Sequence, residues 1–245
     1  MESSVPDETF CKKKLKDFIV ALSKKRTMRI SILLFFLSIL SLSAQDYFTE
    51  RYKPFLSSIE SPEKFLEYEI GEQHTRHDQI VSYFQKLAFS SQRAKMTYYG
   101  KTHEGRKLTF LIVSSKENLE KLDEIQKRHL EYAKGNLQSQ PDIPIIINLA
   151  YNVHGNEPSS SEAAMLAAYT LVASENPQIK SFRDDAIIFI DPTINPDGRD
   201  RHTQWANTYK GNPPVSDPND AEHNEMWPRG RTNHYWFDLN RDWLL

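Results

Sequence analysis

A histidine and a glutamate sit three positions apart in His154-Gly155-Asn156-Glu157. A neutral imidazole nitrogen and a carboxylate oxygen are ordinary zinc donors, each about 2.0–2.2 Å from the ion. On one tight turn both can reach a single ion, and Gly155 lets the backbone turn sharply between them. The chain holds eight histidines, so the spacing alone also suits a helix-capping turn. Asn195-Pro196-Asp197-Gly198 has the residues of a β-turn, with Pro fixing φ and Gly accepting φ > 0. In Asp238-Leu239-Asn240-Arg241 a forked charged donor stands beside a neutral amide. That pair can grip a carboxylate, and a salt-bridged surface turn would use the same residues. The sole cysteine is Cys11, so a metal held further along must take His and carboxylate ligands.

Two runs, Ile143–Ala150 and Ala186–Ile190, are continuous in apolar residues apart from Asn148, the pattern of strands covered on both faces. Between them Pro158–Val172 reads as a helix with Pro at its first position. Strand, helix and strand make a crossover unit, which places the fold in the α/β class. The unit also puts His154 just past the carboxyl end of a strand, where ligands bind in open α/β sheets. Upstream, the spacing of Ile80, Phe84, Leu87 and Ala88 predicts a helix over His77–Ser90, and Ala94–Tyr99 with Lys107–Ser115 predicts a β-hairpin. Leu119, Leu122, Ile125 and Leu130 form one stripe of a helix over Lys116–Lys134. Residues Arg199–Gly230, rich in Asn, Pro, Asp and His, read as a long functional loop.

The net charge is −2 and the pI about 6.5, which argues against a nucleic-acid partner. Lys24, Lys25, Arg26 and Arg29 precede the apolar run Ile30–Leu42, which closes on Ser43-Ala44. This is the pattern of a secretory signal peptide, and the run is short for a membrane span. The expected organisation is an upstream extension (1–27), a signal peptide (28–44), a lead-in segment (45–76) and a catalytic domain (77–245). The mature protein is expected to be secreted or periplasmic, without a stable membrane span.

Taken together and in this order, HGNEP at His154–Pro158, NPDG at Asn195–Gly198 and DLNRDW at Asp238–Trp243 resemble the zinc carboxypeptidase family (carboxypeptidase A-like enzymes). EGRKL at Glu104–Leu108 is similar to the family's early strand region, and the resemblance runs from about Tyr98 to Trp243. It implies a mixed, largely parallel sheet flanked by helices, truncated at the C-terminus. It also implies one zinc ion, and hydrolysis of residues from peptide or protein C-termini. His154 and Glu157 would be zinc ligands, and Asn240 and Arg241 would hold the substrate's free α-carboxylate. Arg231, with Arg229 as the rival, would polarise the scissile carbonyl, and Asp238 would fix the His154 tautomer. The family's third ligand, a His, and its general-base Glu lie further along than Leu245. The chain is therefore expected to be a fragment that binds zinc poorly, with His202, His223 and His234 as loop histidines. Two other readings stay open: a zinc deacylase of related fold acting on acylated amino acids, and a non-catalytic peptide-binding domain.

Overall fold

The computed structural model describes residues 50–139 and 141–243; Cys11, the upstream extension and the signal-peptide run lie outside them. The elements are α1 (Pro62–Leu66), α2 (His77–Ser90), β1 (Ala94–Lys101), β2 (Lys107–Val113), α3 (Lys116–Glu120), α4 (Leu122–Ala133), β3 (Ile145–Ala150), α5 (Ser160–Ala173), α6 (Pro177–Asp185), β4 (Ala186–Asp191) and α7 (Pro196–Tyr209), followed by 3-10 turns at Ala221–His223 and Leu239–Arg241.

The four described strands form one mixed sheet in the order β1-β2-β4-β3. β1 and β2 are the expected hairpin, with a register shift between Tyr98 and Gly100. β2 pairs antiparallel with β4, and β3 pairs parallel with β4 from Ile145↔Ala186 to Ala150↔Asp191. The α/β class and the mixed sheet are as expected. Among the described strands the parallel character is confined to the β3–β4 crossover, because the hairpin lends the other two pairings antiparallel sense.

Side-chain alternation divides the core between the two faces of the sheet. Leu111, Val113, Ile188 and Ile190 pack with Ile80, Phe84 and Leu87 of α2 and with Met165, Ala168 and Val172 of α5. Ile112 and Ile187 face the other way, onto Leu119 and Ile125 of α3 and α4. Ile59 and Leu66 of the lead-in are buried in the first cluster.

Three expectations need correction. β3 is not covered on both faces: Ile145 and Ile146 are 53% and 51% exposed, because β3 is an edge strand that pairs only with β4 among the described strands. The single helix over Lys116–Lys134 is two, broken at Lys121, which caps both α3 and α4. Leu130 lies outside the buried stripe and is exposed. Residues 199–209 are not loop; they belong to α7.

At the end of β4, Asp191 is buried. Burial raises its pKa to about 6, against the bonds from Tyr99 Oη–H and the Thr193 N–H that favour its charged form. A carboxyl whose folded pKa is raised stabilises the fold below its unfolded pKa, and that stability is lost as pH rises through the folded value. The lost stability is on the order of 3 kcal/mol, since each unit is worth about 1.36 kcal/mol. Urea melts should therefore show wild type losing stability from about pH 4 to above pH 6 relative to Asp191→Asn. Parallel pH curves for the two proteins would contradict this.

Candidate active site

The ends of β3 and β4 continue side by side past the sheet. The Tyr151 N–H donates to Asp191 O, Ile194 N–H to Tyr151 O, and Asn195 N–H to Asn152 O. These bonds set the His154–Glu157 turn against the Asn195–Gly198 segment. Asn152 has φ 56, a left-handed conformation that Asn tolerates better than most residues. Its Nδ2 donates to the carbonyls of His154 (3.0 Å) and Glu157 (3.2 Å), so the turn is wound around this one side chain.

The NPDG segment is the first turn of α7 rather than a β-turn. Asn195 caps it by accepting from the Gly198 N–H, and Pro196 takes the first helical turn, where its missing N–H costs nothing. A Cβ on Gly155 would lie 2.1 Å from both Arg199 N and Gly198 C; one on Gly198 would lie 2.3 Å from Gly230 O. Backbone meets backbone at three glycines here, and this contact sets the spacing between the motif-bearing segments. Next to it, the buried Arg199 guanidinium pairs with Glu162 and donates to Thr75 O (3.1 Å) and Pro158 O (3.2 Å), bracing the turn that carries Glu157.

Residues 231–241 close the arrangement. Asp238 Oδ1 accepts from His154 Nε2 at 2.9 Å, while Oδ2 accepts from Arg231 Nε and Nη2 at 3.1 and 2.8 Å. The bond from His154, helped by Arg231, holds the Asp238 carboxyl at about 2. Asp238 also caps the turn Leu239–Arg241 by accepting from the Asn240 N–H. Asn240 Oδ1 accepts from Trp243 Nε1 (3.0 Å), and Arg241 Nη1 donates to Asn240 O. Arg231 Nη1 lies 3.4 Å from His154 Nδ1. Arg229, by contrast, lines a cavity of about 340 Å³ with Trp205, Met226 and Trp227.

An ionised carboxylate only accepts, so His154 Nε2 carries a hydrogen. Its Nδ1 faces Glu157 Oε1 at 2.9 Å, where two lone-pair donors can meet only with a proton or a cation between them. That nitrogen–oxygen pair, oriented from behind by a carboxylate, fits a zinc ion's chemistry. His154 is buried, whereas the Glu157 side chain is 52% exposed, so the pair opens toward solvent. Among the described residues no group of three His, Cys, Asp or Glu is arranged to hold a metal ion.

The other histidines are engaged elsewhere. His202 lies on α7 with Nδ1 on Glu225, His223 Nε2 meets Val215 O, and His234 pairs with Glu104 and stacks on His103. His202 is thus a helix residue, not a loop histidine, and it sits buried against the site's supporting loop. Among the described residues no helix is long and apolar enough to cross a membrane.

The family model for zinc carboxypeptidases matches residues 80–244. No curated protein matches the chain. Similar solved structures include a carboxypeptidase A candidate from Shewanella denitrificans (17% identity, covering 70% of this chain and 32% of that one, TM-score 0.46). Others are the carboxypeptidase A of Helicoverpa armigera (18%, 63% and 31%, TM-score 0.40) and a metallo-carboxypeptidase from Burkholderia cenocepacia (17%, 70% and 33%, TM-score 0.40). The chain spans about a third of the length of each of these structures.

Proposed function

The chain belongs to the zinc carboxypeptidase family, and from that premise we propose that it forms part of a secreted or periplasmic metallocarboxypeptidase that removes residues from the C-termini of peptides. The observation that carries this reading is the convergence of His154 Nδ1 and Glu157 Oε1 at 2.9 Å, with Nε2 tied to Asp238. In the proposed enzyme these two groups would hold one zinc ion. The third protein ligand and general-base Glu that the family uses would complete the site. Zinc bound there would act as a Lewis acid and bring a bound water's pKa to about 7.

The chain's own residues do the rest. Asp238 keeps the Nε2 hydrogen of His154 and leaves Nδ1 as the ligating atom. Arg231 is fixed through Nε and Nη2 by Asp238, and its Nη1 is directed to the His154 side of the site. There it stabilises the oxyanion that forms when water attacks the scissile carbonyl. With Asn240 Oδ1 taken by Trp243, the Asn240 amide NH₂ is left to donate. Together with Arg241 it clamps the terminal carboxylate.

The reading is tested on a longer polypeptide that contains this chain. It should release C-terminal residues in a chelator-sensitive way and spare C-terminally amidated peptides. Release of acyl groups from acylated amino acids instead would point to a deacylase. Export supplies a separate expectation, since the basic-apolar-small pattern ends at Ala44. N-terminal sequencing of exported protein should begin at Gln45, and a mature product that keeps Ile30–Leu42 would contradict it.

A further inference from the structure

The segment between α7 and Arg231 meets the site through the Gly230 backbone and through the Glu225 side chain. The Glu225 carboxylate accepts three hydrogen bonds from three separate segments. Asn156 Nδ2 donates to Oε2 at 2.9 Å from the turn that carries Glu157. The Gly230 N–H, directly before Arg231, donates to Oε1 at 2.8 Å, and His202 Nδ1 donates to the same oxygen at 3.0 Å from α7. The carboxylate is largely withdrawn from water, its side chain 14% exposed. Burial opposes its charge, but the bonds from His202, Asn156 and Gly230 outweigh burial and hold the carboxyl below its ordinary range.

The packing around this carboxylate leaves little slack. A Cβ on Gly230 would lie 2.5 Å from Gly198 O, 2.7 Å from His202 Cβ and 3.2 Å from Asn156 Cβ. Glu225 belongs to none of the three sequence motifs, yet its two oxygens join the residue before Glu157 to the residue before Arg231. We propose that Glu225 is a positioning residue of the zinc site, setting the separation of Glu157 and Arg231 by tying Asn156 to the Gly230 N–H. The proposal rests on the reading of the site given above. Bonds to an ionised acceptor are shorter and about twice as strong as neutral ones. Removing the acceptor also leaves three donors facing a gap, which loosens turn and loop together.

The test uses the 245-residue chain with Glu225→Ala, Glu225→Gln and Asn156→Ala, and reads amide hydrogen exchange by NMR. Glu225→Ala should speed exchange at Gly230, at Arg231 and across the 154–157 turn by about tenfold or more, and leave β2 and β4 unchanged. Glu225→Gln should stay within about threefold of wild type. The glutamine oxygen still accepts from Gly230 and His202, and its NH₂ meets the Asn156 oxygen once that amide turns over. Asn156→Ala should free the 154–157 turn while Gly230 stays protected, which decides the matter even if Glu225→Ala does not fold. In a longer polypeptide containing this chain, zinc affinity should fall about 10- to 100-fold in Glu225→Ala and recover in Glu225→Gln, the range expected for groups that orient metal ligands.

Unchanged exchange at 154–157 and 230–231 in Glu225→Ala would overturn the proposal. So would faster exchange that extends equally through β2 and β4, or a Glu225→Gln variant as impaired as Glu225→Ala. A longer polypeptide containing this chain whose His154 ignores zinc overturns the zinc reading instead, a result visible separately from the exchange pattern.

Discussion

Gly155→Ala is expected to destabilise the protein by roughly 3 kcal/mol or more, the upper part of the range for overpacked interiors. The added Cβ would fall 2.1 Å from Arg199 N and Gly198 C, both backbone atoms in the first turn of α7. No side chain can rotate away to make room, so turn and helix must separate. Gly100→Ala provides the control, because a Cβ there meets only Leu108 Cδ1 at an ordinary 3.6 Å. For a domain of this size the difference amounts to about 10 °C in Tm. Melting temperatures for the two variants within about 2 °C of each other would mean that the three-glycine contact does not hold the segments together.

Arg241→Ala carries the largest expected effect on activity. In the longer enzyme it should lower kcat/KM on peptides with a free C-terminus by about 30- to several-thousand-fold, because losing one partner of a desolvated charge pair costs about 2–5 kcal/mol. Amidated peptides, already poor substrates, should lose little more. Arg241 sits on a 3-10 turn capped by Asp238, the carboxylate that also receives His154 Nε2. In the proposed enzyme the clamp and the metal ligand would therefore share one anchor, and peptides should be cut one residue from their ends. Steady-state kinetics on matched free and amidated peptides check this, and equal turnover of the two by wild type would contradict the clamp.

Much of the scaffold was legible because apolar pattern wrote it. The two apolar runs became β3 and β4, though β3 is an exposed edge strand, the spacing of Ile80, Phe84 and Leu87 became α2, and His154 fell where a strand ends. α7 was not legible because its buried face is largely polar: Arg199, His202 and Thr203 are inward, held by Glu162, Glu225 and backbone carbonyls rather than by apolar contact. Its start signals, Asn195 as cap and Pro196 after it, were present but also fit a turn. At the site, donor chemistry marked His154 and Glu157, the family resemblance marked Arg231 and Asp238, and these four meet in space. Asn152, Arg199 and Glu225 went unmarked. Arg199 and Glu225 act on distant segments, and which segments those are depends on packing that the local sequence does not display; Asn152 acts locally, on the carbonyls of His154 and Glu157, and no motif included it.

The most direct test of the account is the state of the His154 imidazole as zinc is added to a longer polypeptide containing this chain, read from ¹H–¹⁵N spectra that resolve both ring nitrogens. The account predicts that zinc shifts His154 Nδ1, that Nε2 keeps its hydrogen on Asp238, and that Glu157→Ala weakens the response. A His154 resonance that stays put while His202, His223 or His234 moves would contradict it.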